Sequence, residues 1–90
     1  VIAFDTVEDG VRMANDTPFG LAAYLCSSDP ATIARVSRDL ESGIVGVNTG
    51  VVSTPVAPFG GVKMSGLGRE GSHHGLNEYL NVKYLCHAGL

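Results

Sequence analysis

Three apolar runs and two amphipathic segments alternate along the first half of the chain. Residues 1–4, 21–26 and 44–47 are apolar runs of the length of short strands. The run at residues 21–26 is apolar at successive positions, which is typical of a strand covered on both faces in a parallel sheet. We therefore predict three buried strands in this half of the chain.

The segment after the first run has the apolar spacing of a helix. Val7, Val11 and Ala14 share one helical face. Asp5 or Thr6 is placed to cap the first turn, where an oxygen acceptor satisfies free backbone N–H groups. This pattern predicts a short helix packed through one face.

The segment after the second run predicts a longer helix with clear end signals. Asp29 is a good N-cap residue, Pro30 suits the first helical position, and Gly43 lies just past the predicted end. The inward face is apolar and consists of Ile33, Val36 and Leu40.

The predicted order of strand, helix, strand, helix, strand indicates an α/β fold. Parallel strands joined by helices give right-handed crossovers, so we expect a three-layer, parallel-sheet βαβαβ segment. Beyond it, residues 49–68 predict a long irregular stretch, and residues 69–80 a weak helix interrupted by Gly71 and Gly75. Residues 82–86 predict a final strand, followed by a short tail.

The composition is that of a small globular unit with few charges. Of the 90 residues, 44% are hydrophobic and 17% are charged, and the formal net charge is −3. A chain of this size buries only about 60% of its unfolded surface, which makes it marginally stable by itself. The low share of charged residues predicts surface that contacts other parts of a larger protein.

The distribution of charge and the hydropathy argue against nucleic acid and membranes as partners. The basic residues are spread along the chain and form no patch, which excludes nucleic acid as an expected partner. The apolar runs are far shorter than the roughly 20 residues that span a bilayer, so we expect no membrane contact. The two cysteines, Cys26 in the second predicted strand and Cys86 in the last, are expected to be reduced.

Residues 66–71 match the Gly-x-Gly-x-x-Gly pattern of dinucleotide-binding loops. That fingerprint requires a buried strand before it and an acidic residue about 20 positions after it, and both are missing here. A metal site is also not expected, because its candidate ligands lack the paired spacing of zinc ligands. These candidates are His73, His74, Cys86 and His87.

Three motifs together resemble the aldehyde dehydrogenase family. Residues 58–70 read Pro-Phe-Gly-Gly-Val-Lys-Met-Ser-Gly-Leu-Gly-Arg-Glu and are followed by Gly71. Residues 14–24 read Ala-Asn-Asp-Thr-Pro-Phe-Gly-Leu-Ala-Ala-Tyr, and residues 43–48 read Gly-Ile-Val-Gly-Val-Asn. Their order and spacing are similar to those at the end of the family's catalytic domain.

The resemblance implies that the chain is a C-terminal fragment of a longer enzyme that uses NAD or NADP. Residues 1–80 would be the C-terminal part of the catalytic domain, and residues 81–90 an oligomerisation strand and tail. The family's nucleophilic cysteine, general-base glutamate and nucleotide-binding domain belong upstream. We therefore expect no catalytic, cofactor-binding or metal-binding residue in this chain, no bound cofactor and no activity of the fragment alone. A cytoplasmic homo-oligomer assembled through the last strand is expected.

Within the resemblance, Ser53 is the one candidate substrate-binding residue. It stands five positions before the proline of Pro-Phe-Gly-Gly, where relatives that act on apolar aldehydes commonly carry an aromatic residue. Together with residues 78–86, it is similar to the branch of the family that oxidises succinic semialdehyde, whose terminal carboxylate a hydroxyl can bind. Arg69 and Glu70 are expected to be structural, holding the Gly-rich loop, residues 57–71, through charge-assisted hydrogen bonds.

Three alternatives stay open from the sequence. The Ser53 hydroxyl could satisfy its own backbone, as Ser and Thr often do in loops. The substrate could be glutarate semialdehyde, because one methylene group changes binding by only about 1 to 3 kcal/mol. The chain could also serve only as an assembly module, with residues 82–86 as an edge strand that pairs with another copy.

Overall fold

The computed structural model describes residues 1–89, and Leu90, the end of the predicted tail, lies outside the described residues. Within residues 1–89 there are three helices and four short strands. In chain order they are α1 (Val7–Asn15), β1 (Phe19–Gly20), β2 (Ala22–Leu25), α2 (Pro30–Asp39), β3 (Ile44–Val47), β4 (Val62–Lys63) and α3 (His74–Asn77).

Helices α1 and α2 begin where the sequence predicts. The side chain of Thr6 accepts a hydrogen bond from the Asp9 backbone N–H at the start of α1. Asp29 caps α2 by accepting from the Thr32 N–H at 2.9 Å, and Pro30 occupies the first turn. The hydrogen bonds from Thr32 hold the pKa of the Asp29 carboxyl below its ordinary value of 3.8.

The strands form two separate two-stranded sheets. Strands β2 and β3 pair in parallel, from Ala22 opposite Ile44 to Leu25 opposite Val47, and α2 connects them. Strands β1 and β4 pair antiparallel, with Phe19 opposite Lys63. The α/β class and the parallel pairing are therefore confirmed, and one βαβ unit is present within residues 1–89.

The core within this chain is very small. Val36 on α2 is the one buried hydrophobic residue among those described, and Ile33 and Leu40 on the same face are half-buried. Tyr24 on β2 remains 56% exposed, so the prediction of a strand covered on both faces is not met by this chain's own residues. These apolar faces require contact with other polypeptide to become buried.

Two predicted strands are not formed in the structure. Neither residues 1–4 nor residues 82–86 have regular secondary structure, and residues 76–89 are exposed throughout. A strand exists only where its backbone N–H and C=O groups find a partner strand, and no partner lies beside these segments within residues 1–89. The apolar runs indicated strands, but they do not show whether partner strands lie beside them.

The predicted helix at residues 69–80 is wrong in its extent. Gly71 and Ser72 have φ angles of +72° and +52°, which no right-handed helix includes. The chain therefore turns at these two residues, and α3 occupies only His74–Asn77. No helix within residues 1–89 has the length and apolarity needed to cross a membrane.

Candidate functional site

Ser53 lies in the irregular segment 49–58, which leads from the end of β3 towards the Gly-rich loop. It is exposed and borders an open depression of about 360 Å³. The other residues around this depression are Thr54, Pro55, Phe59, Glu70 and Gly71. The structure thus places the predicted substrate-binding serine beside one aromatic ring and one carboxylate.

The Ser53 hydroxyl has no hydrogen-bond partner within residues 1–89, whereas the hydroxyl of Thr49 in the same segment does. Thr49 accepts a hydrogen bond from the Val51 N–H at 3.2 Å through its Oγ1 atom. The backbone-satisfying alternative therefore describes Thr49 and does not describe Ser53. Binding of substrate by Ser53 stays a prediction.

The far end of this segment is joined to the turn that precedes α3. The Ser72 N–H donates to the carbonyl of Pro55 at 2.9 Å. Phe59 and Glu70 exchange two backbone hydrogen bonds of 2.8 Å as an isolated antiparallel bridge. A Cβ added to Gly71 would lie 3.1 Å from the Ala57 carbonyl and 3.2 Å from that of Pro55. Close packing and hydrogen bonds therefore hold the backbone of the residues that line the depression, Pro55, Phe59, Glu70 and Gly71.

Arg69 holds the Gly-rich loop, as predicted. Its Nη1 atom donates to the carbonyls of Gly61 and Gly68, both at 2.8 Å. Gly60 makes room for this side chain, because a Cβ there would lie 2.7 Å from Arg69 Cδ. Glu70 contributes through its backbone bridge to Phe59 instead of a side-chain bond.

Lys63 is a structural residue that the sequence reasoning did not single out. Its Nζ donates to the carbonyls of Asn15 at 3.0 Å and Thr17 at 3.4 Å, where α1 ends. It also lies 2.6 Å from a carboxylate oxygen of Glu41. A cation at a helix C-terminus is favourable, and the lysine in the family motif was the available signal for this role.

Ser65 holds the Gly-rich loop against β1. Its Oγ accepts a hydrogen bond from the Gly20 N–H at 2.9 Å, next to the pairing of β1 with β4. Gly43 allows the loop to approach β3, since a Cβ at this position would lie 1.9 Å from the Gly60 carbonyl oxygen. Gly43 was expected to end α2, but its function is this close approach, and α2 ends at Asp39.

Residues 66–71 do not form a dinucleotide-binding turn. Such a turn follows a buried strand and opens a helix whose N-terminal N–H groups face the phosphates. Here the preceding strand, Val62–Lys63, is two residues long and exposed, and the positive φ angles of Gly66, Gly68 and Gly71 belong to loop turns. Residues 66–71 therefore do not fit the diphosphate of a dinucleotide cofactor in the manner of that fingerprint.

The histidines and cysteines do not gather into a site in the part of the chain that the structure describes. His73 and His74 are neighbours with ring centroids 4.0 Å apart, but no group of three or more potential metal ligands forms among residues 1–89. Cys26 was expected inside a buried strand, whereas it is exposed and follows the last residue of β2. Cys86 is also free and exposed.

The chain is similar in sequence to a known enzyme family and to several of its members. The profile of the aldehyde dehydrogenase family matches residues 1–85. A mitochondrial succinate-semialdehyde dehydrogenase of Oryza sativa subsp. japonica is 58% identical over all 90 residues, which are 17% of that protein. A probable succinate-semialdehyde dehydrogenase [NADP(+)] of Sinorhizobium fredii is 56% identical over the same residues, 18% of its length.

A solved structure agrees with both the fold and the sequence match. The crystal structure of succinate-semialdehyde dehydrogenase from Burkholderia pseudomallei superposes with a TM-score of 0.91 and 60% identity. The match covers 96% of this chain and 18% of that one. The chain thus spans less than a fifth of the length of the relatives that it matches.

Proposed function

The chain belongs to the aldehyde dehydrogenase family, and from this premise we propose that it works as part of a longer enzyme that oxidises succinic semialdehyde to succinate. The observation that carries the proposal is the 58% identity, over every residue of the chain, with a relative named for this activity. The whole enzyme converts an aldehyde and water to a carboxylate while the oxidised cofactor takes up a hydride. This chain alone is expected to be inactive.

Ser53 is the residue of this chain that we propose to contact the substrate. Its hydroxyl is exposed, has no partner within residues 1–89 and borders the depression, so it is free to donate to a carboxylate. Glu70 borders the same depression and carries negative charge. Binding a carboxylate there also requires positively charged groups, which we place outside this chain.

NAD or NADP is the proposed cofactor of the whole enzyme. The relative from Sinorhizobium fredii is named as NADP-dependent, which supports the use of a nicotinamide cofactor. Residues 66–71 lack the strand and helix that a dinucleotide loop needs, so no step of cofactor chemistry is assigned to this chain.

A second proposed role is assembly through the C-terminal segment. Residues 82–86 are exposed along their whole length, with Val82 at 101% and Tyr84 at 85% exposure. Five successive residues with free backbone groups are suited to pair with a strand of another copy. We propose that the predicted oligomerisation strand forms only upon this pairing, and that the division at residues 80 and 81 separates catalytic and assembly parts.

The cytoplasmic location also stays a proposal. The relative from Oryza sativa subsp. japonica is named as mitochondrial. Fractionation of cells that make the full-length protein, followed by detection in the cytosolic and organelle fractions, tests the location directly.

The proposed activity is tested by the kcat/KM of the full-length protein with three aldehydes, using NAD and NADP in turn. The aldehydes are succinic semialdehyde, glutaric semialdehyde and butanal, the last being an uncharged analogue of the first. A clear preference for succinic semialdehyde supports the proposal. Equal use of butanal contradicts a carboxylate-binding site, and preference for glutaric semialdehyde identifies the longer substrate instead.

A further inference from the structure

Asn48, the first residue after β3, has an unusual backbone conformation. Its φ angle is +54°, in the left-handed region, where Asn is tolerated better than most residues other than Gly. The chain therefore changes direction sharply at the carboxyl end of β3. The segment that carries Ser53 starts at this turn.

Two side-chain hydrogen bonds hold the turn in place. Asn48 Oδ1 accepts from the Ser27 N–H at 2.9 Å, and Asn48 Nδ2 donates to the Ser27 carbonyl at 2.8 Å. The Asn48 N–H itself donates to the Leu25 carbonyl at 2.8 Å. The side-chain amide thus continues the bonding of β2 to β3 one step beyond the last paired residues, Leu25 and Val47.

The two hydrogen bonds between the Asn48 side chain and Ser27 form a clamp. This clamp and the bond from Ser72 to Pro55 hold the backbone on both sides of Ser53. The clamp at Asn48 lies five residues before Ser53, and the bond from Ser72 to Pro55 lies two residues after it. Between these points, the contact of Thr49 with Val51 further limits the path of the chain. No helix or strand fixes residues 48–55, so their position depends on such local bonds.

We propose that Asn48 is a positioning residue for substrate selection, which acts by setting where the Ser53 hydroxyl stands in the depression. The proposal rests on the proposed function, because it requires that Ser53 contacts the substrate carboxylate. Asn48 itself is not proposed to touch the substrate. Within residues 1–89, its side-chain amide hydrogen-bonds to the backbone of Ser27, a residue that is distant in sequence and precedes α2.

The test uses four variants of the full-length enzyme. Asn48→Gly keeps the left-handed backbone accessible and removes both clamp bonds. Asn48→Asp keeps the acceptor but removes the donor. Ser53→Ala removes the hydroxyl, and Asn48→Gly combined with Ser53→Ala completes a double-mutant cycle. For each variant, kcat and KM are measured with succinic semialdehyde and with butanal.

A matched control is available at Asn15. Its side chain also clamps backbone, donating to the Asp39 carbonyl at 2.8 Å and accepting from the Glu41 N–H at 2.9 Å. This clamp joins the ends of α1 and α2 and has no contact with residues 49–55. Asn15→Ala therefore reports what the loss of a similar clamp does to general stability.

We expect Asn48→Gly to lower kcat/KM for succinic semialdehyde about tenfold, mainly through KM, as for a weakened hydrogen bond to a charged group. The kcat/KM for butanal should change less than about twofold, because butanal has no carboxylate to which Ser53 could donate a hydrogen bond. Asn15→Ala should affect the two aldehydes equally. In the cycle, Asn48→Gly should add little to Ser53→Ala, because the positioned hydroxyl is already absent.

The outcomes separate this inference from the proposed function. If Ser53→Ala affects both aldehydes equally, the serine assignment fails and the positioning role fails with it. If Ser53→Ala is selective for succinic semialdehyde and Asn48→Gly affects both aldehydes equally, only the positioning role is overturned. If Asn48→Gly does not fold, a selective KM increase in Asn48→Asp supports the role, and an equal effect on both aldehydes overturns it.

Discussion

The ammonium group of Lys63 lies 2.6 Å from a carboxylate oxygen of Glu41, although the two residues belong to distant parts of the chain. The same ammonium donates to the carbonyls of Asn15 and Thr17. One lysine in the Gly-rich loop therefore joins the end of α1 to the turn after α2. This contact fixes the loop against the βαβ unit.

We expect the two partners of this ion pair to differ in their effect on stability. Lys63→Met should lower the free energy of unfolding by about 1 to 2 kcal/mol, because two carbonyls also lose their donor. Glu41→Gln should cost less than about 1 kcal/mol, because exposed ion pairs contribute little. Glu41 is 58% exposed, whereas the Lys63 side chain is 26% exposed.

Denaturant unfolding of the full-length protein measures both variants. Equal losses of unfolding free energy in Lys63→Met and Glu41→Gln would show that the ion pair, and not the hydrogen bonds to the carbonyls, provides the stabilisation.

Glycine at position 43 is required by close backbone packing. A Cβ there would lie 1.9 Å from the Gly60 carbonyl oxygen, a distance that no small shift relieves. Gly43→Ala should therefore destabilise the protein by about 3 kcal/mol or more. Gly50 is the matched control, because a Cβ there meets no atom within 4 Å.

Gly50→Ala should change the free energy of unfolding by less than about 0.5 kcal/mol. Thermal unfolding of both full-length variants makes the comparison. A stable, soluble Gly43→Ala protein would contradict the close approach of the loop to β3.

A phenylalanine at position 53 should change substrate preference. Ser53→Phe removes the hydroxyl and adds apolar surface beside Phe59 in the depression. The kcat/KM of the full-length enzyme should fall more for succinic semialdehyde than for butanal, by about tenfold or more, since the hydroxyl donor to the charged substrate carboxylate is lost. Ser53→Thr, which keeps the hydroxyl, is the control.

Equal losses with the two aldehydes in Ser53→Phe would show that residue 53 affects only access to the site. A Ser53→Thr protein that loses the preference as well would show that side-chain volume, and not the hydroxyl, selects the substrate.

The N-cap of α2 should make stability depend on acid. The hydrogen bonds from Thr32 favour the ionised carboxylate of Asp29, so its pKa is lower in the folded than in the unfolded state. The stabilisation is therefore fully present above the ordinary value of 3.8 and is lost as the pH falls through the lower, folded value. Thermal unfolding from neutral pH down to about pH 2 detects this loss.

Two variants isolate the contribution of the cap. Asp29→Ala should lower the melting temperature of the full-length protein at neutral pH, and its deficit relative to the unchanged protein should shrink in acid. Asp29→Asn still accepts a hydrogen bond and does not titrate, so its deficit relative to Asp29 should also shrink in acid. A deficit of Asp29→Ala that is constant with pH would show that the carboxylate does not cap α2.

The starts of helices α1 and α2 were predictable because their signals are local, and the central strands were predictable from their apolar runs. A capping oxygen at Asp29 and a proline at position 30 act on the backbone within one turn, whatever the rest of the fold does. The apolar run that contains β2 likewise indicated a parallel strand, and β3 is its partner. The helix starts needed no information from distant residues, and the partner that β2 requires is the next apolar run along the chain.

The outer elements could not be predicted in the same way. Residues 1–4 and 82–86 have the composition of strands, yet a strand forms only beside a partner, and none lies within residues 1–89. The third helix is shortened because Ser72 adopts a positive φ angle, which pattern alone does not reveal for a serine. The division of the Gly-rich loop into β4 and turns depends on pairing with β1.

The sequence by itself determined the α/β class and the starts of the capped helices, because each rests on residue types and short spacings. The candidate role of Ser53 follows from the resemblance of the sequence motifs to the family, and it stays a prediction. Only the tertiary structure decided which side chains hold the turn at Asn48 and the Gly-rich loop in place. The clamp from Asn48 to Ser27 and the contacts of Lys63 with Asn15 and Glu41 join residues more than twenty positions apart. Such contacts arise when folded elements meet, so no local pattern records them.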